Sequence, residues 1–188
     1  MSRTVRITYF VHGTTTDNEQ GLASGWKDCG LSELGRKQSR ELRDQTRDKK
    51  FDVVFCSDLK RAVESTEITW KNIYPIVRDN RLRECNYGDL NGADAEKVDS
   101  LAYKSIDKPF PNGESYMVVE ERIREFLEDL LNMYAGKHVA IVAHKAPQLA
   151  LDVILNGKSW EQAMKEDWRL KAPKEWKPGW DYALQTKD

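Results

Sequence analysis

Two of the chain's three histidines stand where a catalytic group would be wanted. His12 directly follows the β-rich run Val5–Val11 (VRITYFV), and His144 directly follows His138–Ala143 (HVAIVA), whose Val139–Ala143 is apolar throughout. Runs that stay apolar on consecutive residues suit strands covered on both faces, as in a parallel sheet. Ligands of such sheets gather beyond the carboxyl ends of the strands. An imidazole placed there can be a nucleophile, a proton carrier or a metal ligand. His138 opens its run instead, and is expected to be structural. A third strand end carries Cys56-Ser57-Asp58-Leu59-Lys60-Arg61. With Asp58 capping the helix that follows, Arg61 falls in the first turn, beside backbone N–H groups that favour an anion. A fourth segment, Leu82-Arg83-Glu84-Cys85-Asn86-Tyr87-Gly88, takes a glutamate into a turn. Singly, each has a bland account: a satisfied core histidine, a surface arginine, a solvated carboxylate. Two of three histidines in the same topological place favour a site.

The elements that must position these residues alternate. Phe51–Cys56 (FDVVFC) and Ile73–Val77 (IYPIV) join the two histidine-bearing runs as β-rich segments. Between them Ser32–Arg47 begins at a serine cap and Asp58–Trp70 at an aspartate cap. The clearest helix is Glu114–Tyr134. Its apolar residues Val119, Ile123, Phe126, Leu127, Leu130, Leu131 and Tyr134 repeat at three- and four-residue steps, and Gly136 can close it. Another helix starts near Pro147, a residue tolerated in a first turn. Strands alternating with helices predict an α/β fold, a three-layer sandwich whose mainly parallel central sheet is flanked by helices. Asn91–Gly113, with Pro109 and Pro111, is expected to be a surface excursion. A tail from about residue 157 holds four of the six tryptophans: Trp160, Trp168, Trp176 and Trp180. Residues 1–188 are expected to form a single domain.

Composition narrows the partners. Thirty basic and 31 acidic side chains leave a formal charge of -1, so no global field recruits nucleic acid or a membrane surface. Any anion site must be built locally. Cys29, Cys56 and Cys85 are odd in number and lack metal-ligand spacing, which fits a reduced, cytoplasmic protein. No apolar stretch is long enough for a bilayer, and nothing resembles a signal peptide.

The motifs also have an order. Val11-His12-Gly13-Thr14-Thr15-Thr16-Asp17-Asn18 is followed by Gly25-Trp26-x-Asp28, Leu31-Ser32-x-x-Gly35, Ser57-Asp58-Leu59-x-Arg61-Ala62, Arg83-Glu84-x-x-Tyr87-Gly88, Gly113-Glu114-Ser115 and Ala143-His144. This ensemble, from about residue 5 to residue 150, resembles the histidine phosphatase superfamily, also called phosphoglycerate-mutase-like. Two departures stand out. Val11 occupies the position where the family carries an arginine before its histidine, and Lys145 follows the second histidine where glycine is usual.

The resemblance implies roles. His12 would attack phosphorus and form a phosphohistidine, with Gly13 holding its tautomer. Arg61, Asn18, His144, Gly13 and Thr15 would form the phosphoryl-binding set, with Lys145 the nearest replacement for the lost arginine. Glu84 would protonate the leaving oxygen and then help activate water. Neither a metal nor a cofactor is implied. The family's mutases resemble longer chains with a basic insertion after the glutamate. Here Asn91–Pro111 offers only Lys97, Lys104 and Lys108, which favours hydrolysis of a small phosphorylated metabolite by a monomer or homodimer. Two other readings stand beside this one. His12, His144 and Glu84 could form a two-histidine, one-carboxylate metal site. Alternatively, without the arginine, a weak or inactive member could bind only a phosphorylated ligand or partner.

Overall fold

The computed structural model describes residues 4–171 and 179–186. In chain order the elements are β1 (Thr4–Val11), α1 (Thr16–Glu19), β2 (Leu22–Ala23), α2 (Glu33–Gln45), β3 (Val53–Cys56), α3 (Lys60–Trp70), β4 (Ile76–Arg78), β5 (Ala93–Asp94) and α4 (Ala95–Leu101). Then follow α5 (Tyr116–Tyr134), β6 (His138–Ala143), α6 (Lys145–Asn156), α7 (Trp160–Lys165), α8 (Trp168–Lys171) and β7 (Trp180–Gln185). Among the described residues, five strands form the central sheet in the order β4-β3-β6-β1-β7. β4, β3, β6 and β1 run parallel, and β7 closes the edge antiparallel to β1.

Strand alternation supplies both faces of the sandwich. Ile7, Tyr9, Phe55, Val139 and Ile141 enter one core with Val119, Ile123, Phe126 and Leu130 of α5 and Leu149 of α6. Phe10, Val54, Cys56, Ala140 and Val142 enter the other, against Leu42 of α2 and Trp70 of α3. Cutting a buried Ile123 or Phe126 back to alanine should cost about 2–5 kcal/mol. No described helix is long and apolar enough to cross a membrane.

Several local expectations shift. Asp58 does not cap α3: its carboxylate takes both Nε and Nη2 of Arg83 at 2.7 Å. The helix is capped from a distance, by Asp28 Oδ1 accepting from Lys60 N at 2.9 Å. Ile73 and Tyr74 donate back to Trp70 O and so finish α3, which delays β4 to Ile76. Residues 91–113 are no simple surface excursion, because Val98 and Phe110 are buried in the core. Their apolar residues are too sparse to show a period. β7 belongs to the tryptophan-rich tail, and its Tyr182 and Leu184 alternate inward. Trp176 lies outside the described residues.

Candidate functional site

The carboxyl ends of β1, β3 and β6 open into a cleft of about 620 Å³. Its lining includes Val11, His12, Thr14, Asn18, Arg61 and Glu84, together with Lys145, Trp168 and Arg169. His12 and His144 are brought together, with ring centroids 5.0 Å apart. β1 and β6 are adjacent and in register, Val11 beside Ala143, so the residues that follow them must be neighbours.

His12 is oriented by its own successor. Nδ1 lies 2.7 Å from the Gly13 carbonyl oxygen, which can only accept, so Nδ1 carries the proton and Nε2 the lone pair. Burial, and then the positive charge of Arg61, push the His12 pKa down to about 3. The imidazole is therefore neutral at physiological pH, as a nucleophile must be. Gly13 does not face a ligand. Its N–H donates to Ser65 Oγ at 2.8 Å. A Cβ here would stand 2.5 Å from Gly35 O, and one on Gly35 would stand 2.0 Å from Thr14 O. These two glycines let the turn after β1 touch the start of α2.

His144 is fully buried, and neither ring nitrogen has a hydrogen-bond partner among the described residues. Burial, Arg61 and His12 all hold its pKa well below the usual histidine value. Tyr9 fixes its backbone, donating through its hydroxyl to His144 O at 2.7 Å and accepting from His144 N at 2.9 Å. Arg61 is only 2% exposed. Its guanidinium donates to Lys27 O at 3.2 Å and Gly25 O at 2.7 Å, and it pairs with no carboxylate among the described residues. Gly25 can present that carbonyl because its φ of 53° lies in the left-handed region, which glycine tolerates. A buried cation without a counter-ion, beside an imidazole with both nitrogens unsatisfied, is an arrangement that calls for an anion.

Glu84 is bound by main chain on three sides. Oε1 accepts from Cys85 N at 2.9 Å and Ala146 N at 3.0 Å, and Oε2 from Lys145 N at 3.1 Å. The last two donors belong to the first turn of α6. The loop itself is held by the Arg122–Glu114 pair, whose guanidinium also donates to the carbonyls of Arg83 and Glu84. Trp26 Nε1 donates to the same Glu84 carbonyl at 2.7 Å.

Other expected residues take different places. Asn18 lines the cleft, with its Oδ1 accepting from Thr15 N at 3.0 Å. Its amide NH₂ is then the end able to donate to an anion. Thr15 is fully buried and its hydroxyl accepts from Asn18 N to cap α1; Thr14 is the threonine at the cleft. Lys145 reaches the rim, but its Nζ pairs with Asp99 at 3.1 Å and lies 3.9 Å from Asp167. Tyr9, Ser65, Arg122 and Arg169 had no warning in the sequence, because each acts across a long stretch of chain. Among the described residues no group of three or more His, Cys, Asp or Glu could hold a metal ion.

The profile of the histidine phosphatase superfamily (branch 1) matches residues 9–174. The chain belongs to that superfamily. It is 31% identical over 169 residues to a 2,3-bisphosphoglycerate-dependent phosphoglycerate mutase of Parvibaculum lavamentivorans, covering 81% of this chain and 80% of the relative. It is 32% identical over 147 residues to an uncharacterized phosphatase of Bacillus subtilis, covering 78% and 75%. Its fold is similar to a mycobacterial glucosyl-3-phosphoglycerate phosphatase in complex with VO3, with a TM-score of 0.75 at 26% identity, covering 85% and 86%. Histidine phosphatases of this branch thus include both phosphatases and mutases among the relatives, and phosphatase-type chemistry is the common ground.

Proposed function

We propose that this histidine phosphatase hydrolyses a small phosphomonoester through a phosphohistidine on His12. One observation carries the proposal. Around the His12 ring stand a buried guanidinium without a carboxylate, Arg61, and an imidazole with two unsatisfied nitrogens, His144. A phosphoryl group placed there supplies the missing acceptors.

The Nε2 lone pair of His12 attacks phosphorus as the bond to the leaving oxygen breaks, and Glu84 delivers a proton to that oxygen. A water then attacks the phosphohistidine. Glu84 takes its proton, the phosphorus–nitrogen bond breaks, and inorganic phosphate leaves with His12 neutral again. Arg61, His144 and the amide of Asn18 bind the equatorial oxygens while charge shifts between them.

Hydrolysis is preferred to mutation for a reason of charge. From residues 91–111 the cleft receives Ala95, Val98 and Asp99, none of them cationic, so that stretch offers no grip for a second anionic group of the substrate. The test is turnover of an aryl phosphate by the wild-type protein and by His12→Ala, beside an assay for 3- to 2-phosphoglycerate interconversion. Hydrolysis that vanishes in His12→Ala supports the reading. Interconversion faster than hydrolysis would replace it with a mutase. Tight phosphate binding without turnover would leave a phosphorylated-ligand binder.

A further inference from the structure

The phosphoryl site is short of positive charge. A phosphate monoester brings up to two negative charges, and Val11 places an uncharged, partly buried side chain at the cleft. Among the described lining residues the cations are Arg61, Lys145 and Arg169. Lys145 is committed at Nζ to Asp99, so its charge is countered at the rim.

Arg169 also has a carboxylate partner, Asp167, but only one of its terminal nitrogens is engaged by it. It lies on α8 in the tryptophan-rich tail, 21% exposed at its side chain. Nη1 is anchored, donating to Asp167 Oδ1 at 2.7 Å and to Gln148 Oε1 at 3.3 Å. Asp167 is itself buried, which makes this a fixed hinge rather than a loose surface pair. The guanidinium carbon sits 5.0 Å from the Trp168 ring and 5.9 Å from the Trp180 ring, so it packs against both aromatic rings. Nη2 is buried and has no hydrogen-bond partner among the described residues. One edge of the fork is therefore held, while a nitrogen of the other edge has no acceptor. Its charge reaches the nucleophile, since Arg169 is one of the groups that push the His12 pKa down.

We propose that Arg169 is the second guanidinium of the phosphoryl site, delivered to the cleft by the C-terminal tail. This rests on the phosphoryl-transfer reading above. The tail then has a defined task. Asp167, Trp168 and Trp180 hold Arg169 as a preformed arm, and a bound phosphoryl oxygen supplies the acceptor that Nη2 lacks. Arginine suits this better than lysine, because its fork keeps the Asp167 bond and the phosphate bond at once.

The probe is inorganic phosphate, titrated by calorimetry into the wild-type protein, Arg169→Met and Arg169→Lys, with aryl phosphate turnover measured in parallel. Arg169→Met should weaken phosphate binding about tenfold or more and lower kcat/KM by about 10²-fold. Arg169→Lys should fall between. Adding Val11→Arg to Arg169→Met should recover most of the loss, whereas Val11→Arg alone should gain little, as expected of two side chains sharing one role. Unchanged phosphate affinity in Arg169→Met overturns the proposal. If that variant does not fold, unchanged affinity in Arg169→Lys overturns it equally. Phosphate binding that depends on Arg169 without any turnover would leave the proposal standing and remove the phosphatase reading. Turnover that depends on His12 but not on Arg169 would do the reverse.

Discussion

The His12 Nδ1–H donates to the carbonyl oxygen of Gly13, the next residue in the chain, at 2.7 Å. This one bond fixes Nδ1 as the protonated nitrogen of the ring. Gly13 itself lies against Gly35 with no room for a Cβ between them, so the turn that carries this carbonyl packs on the start of α2.

The nucleophile assignment predicts a covalent intermediate on His12. Brief exposure to a ³²P-labelled substrate followed by an alkaline quench should leave acid-labile label on the peptide containing His12. Label on Ser57 or Ser65, or none while turnover continues, would remove His12 from its role.

Glu84→Gln should hurt a poor leaving group more than a good one. A general acid matters most when the departing oxygen holds charge badly. The expected loss is about 10²–10⁴ in kcat/KM for an alkyl phosphate and much less for nitrophenyl phosphate. Equal losses for both would mean that Glu84 only ties the loop after β4 to the first turn of α6.

The neutral histidines should make the fold acid-sensitive well above the carboxylate range. His12 and His144 both have folded-state pKa values below the unfolded value of about 6.5. The unfolded chain therefore binds more protons as pH falls below about 6.5. Their contribution to stability is complete above that pH and is lost on acidification toward the folded pKa. Each histidine should cost about 1 kcal/mol per pH unit between about pH 6 and pH 5. Denaturant midpoints from pH 7.5 to pH 5 should slope less steeply in His144→Gln than in the wild-type protein. Parallel slopes would show that His144 is not buried in its neutral form.

Lys145→Met should change kcat/KM by less than about threefold. Its Nζ is paired with Asp99 at the rim, and exposed pairs of this kind are worth little. The backbone N–H that it gives to Glu84 is untouched by the substitution. A loss beyond about tenfold would make Lys145 the phosphate-binding cation and would count against Arg169.

The α/β frame and the residues at the strand ends are legible in local patterns of the chain. Val139–Ala143 is apolar on successive residues because both faces of that strand are covered, and β6 spans the same residues as its run. A histidine directly after such a strand travels with it, so the pairing of β1 with β6 brings His12 and His144 together. Ser32 caps its helix through a bond to an N–H group only three residues on, which is also a local signal.

Other features depend on contacts between residues far apart in the chain. Asp28 caps a helix 32 positions later and thereby releases Asp58 to Arg83. Arg122 steadies the Glu84 carbonyl from α5, 38 positions away. Arg169 reaches the cleft of His12 from the tail, where in sequence it is one basic residue among many. Hydrophobic periodicity and capping report what a residue does to its near neighbours. The charge that completes an anion site is fixed by packing, since any cation that the fold carries to the right wall can serve there.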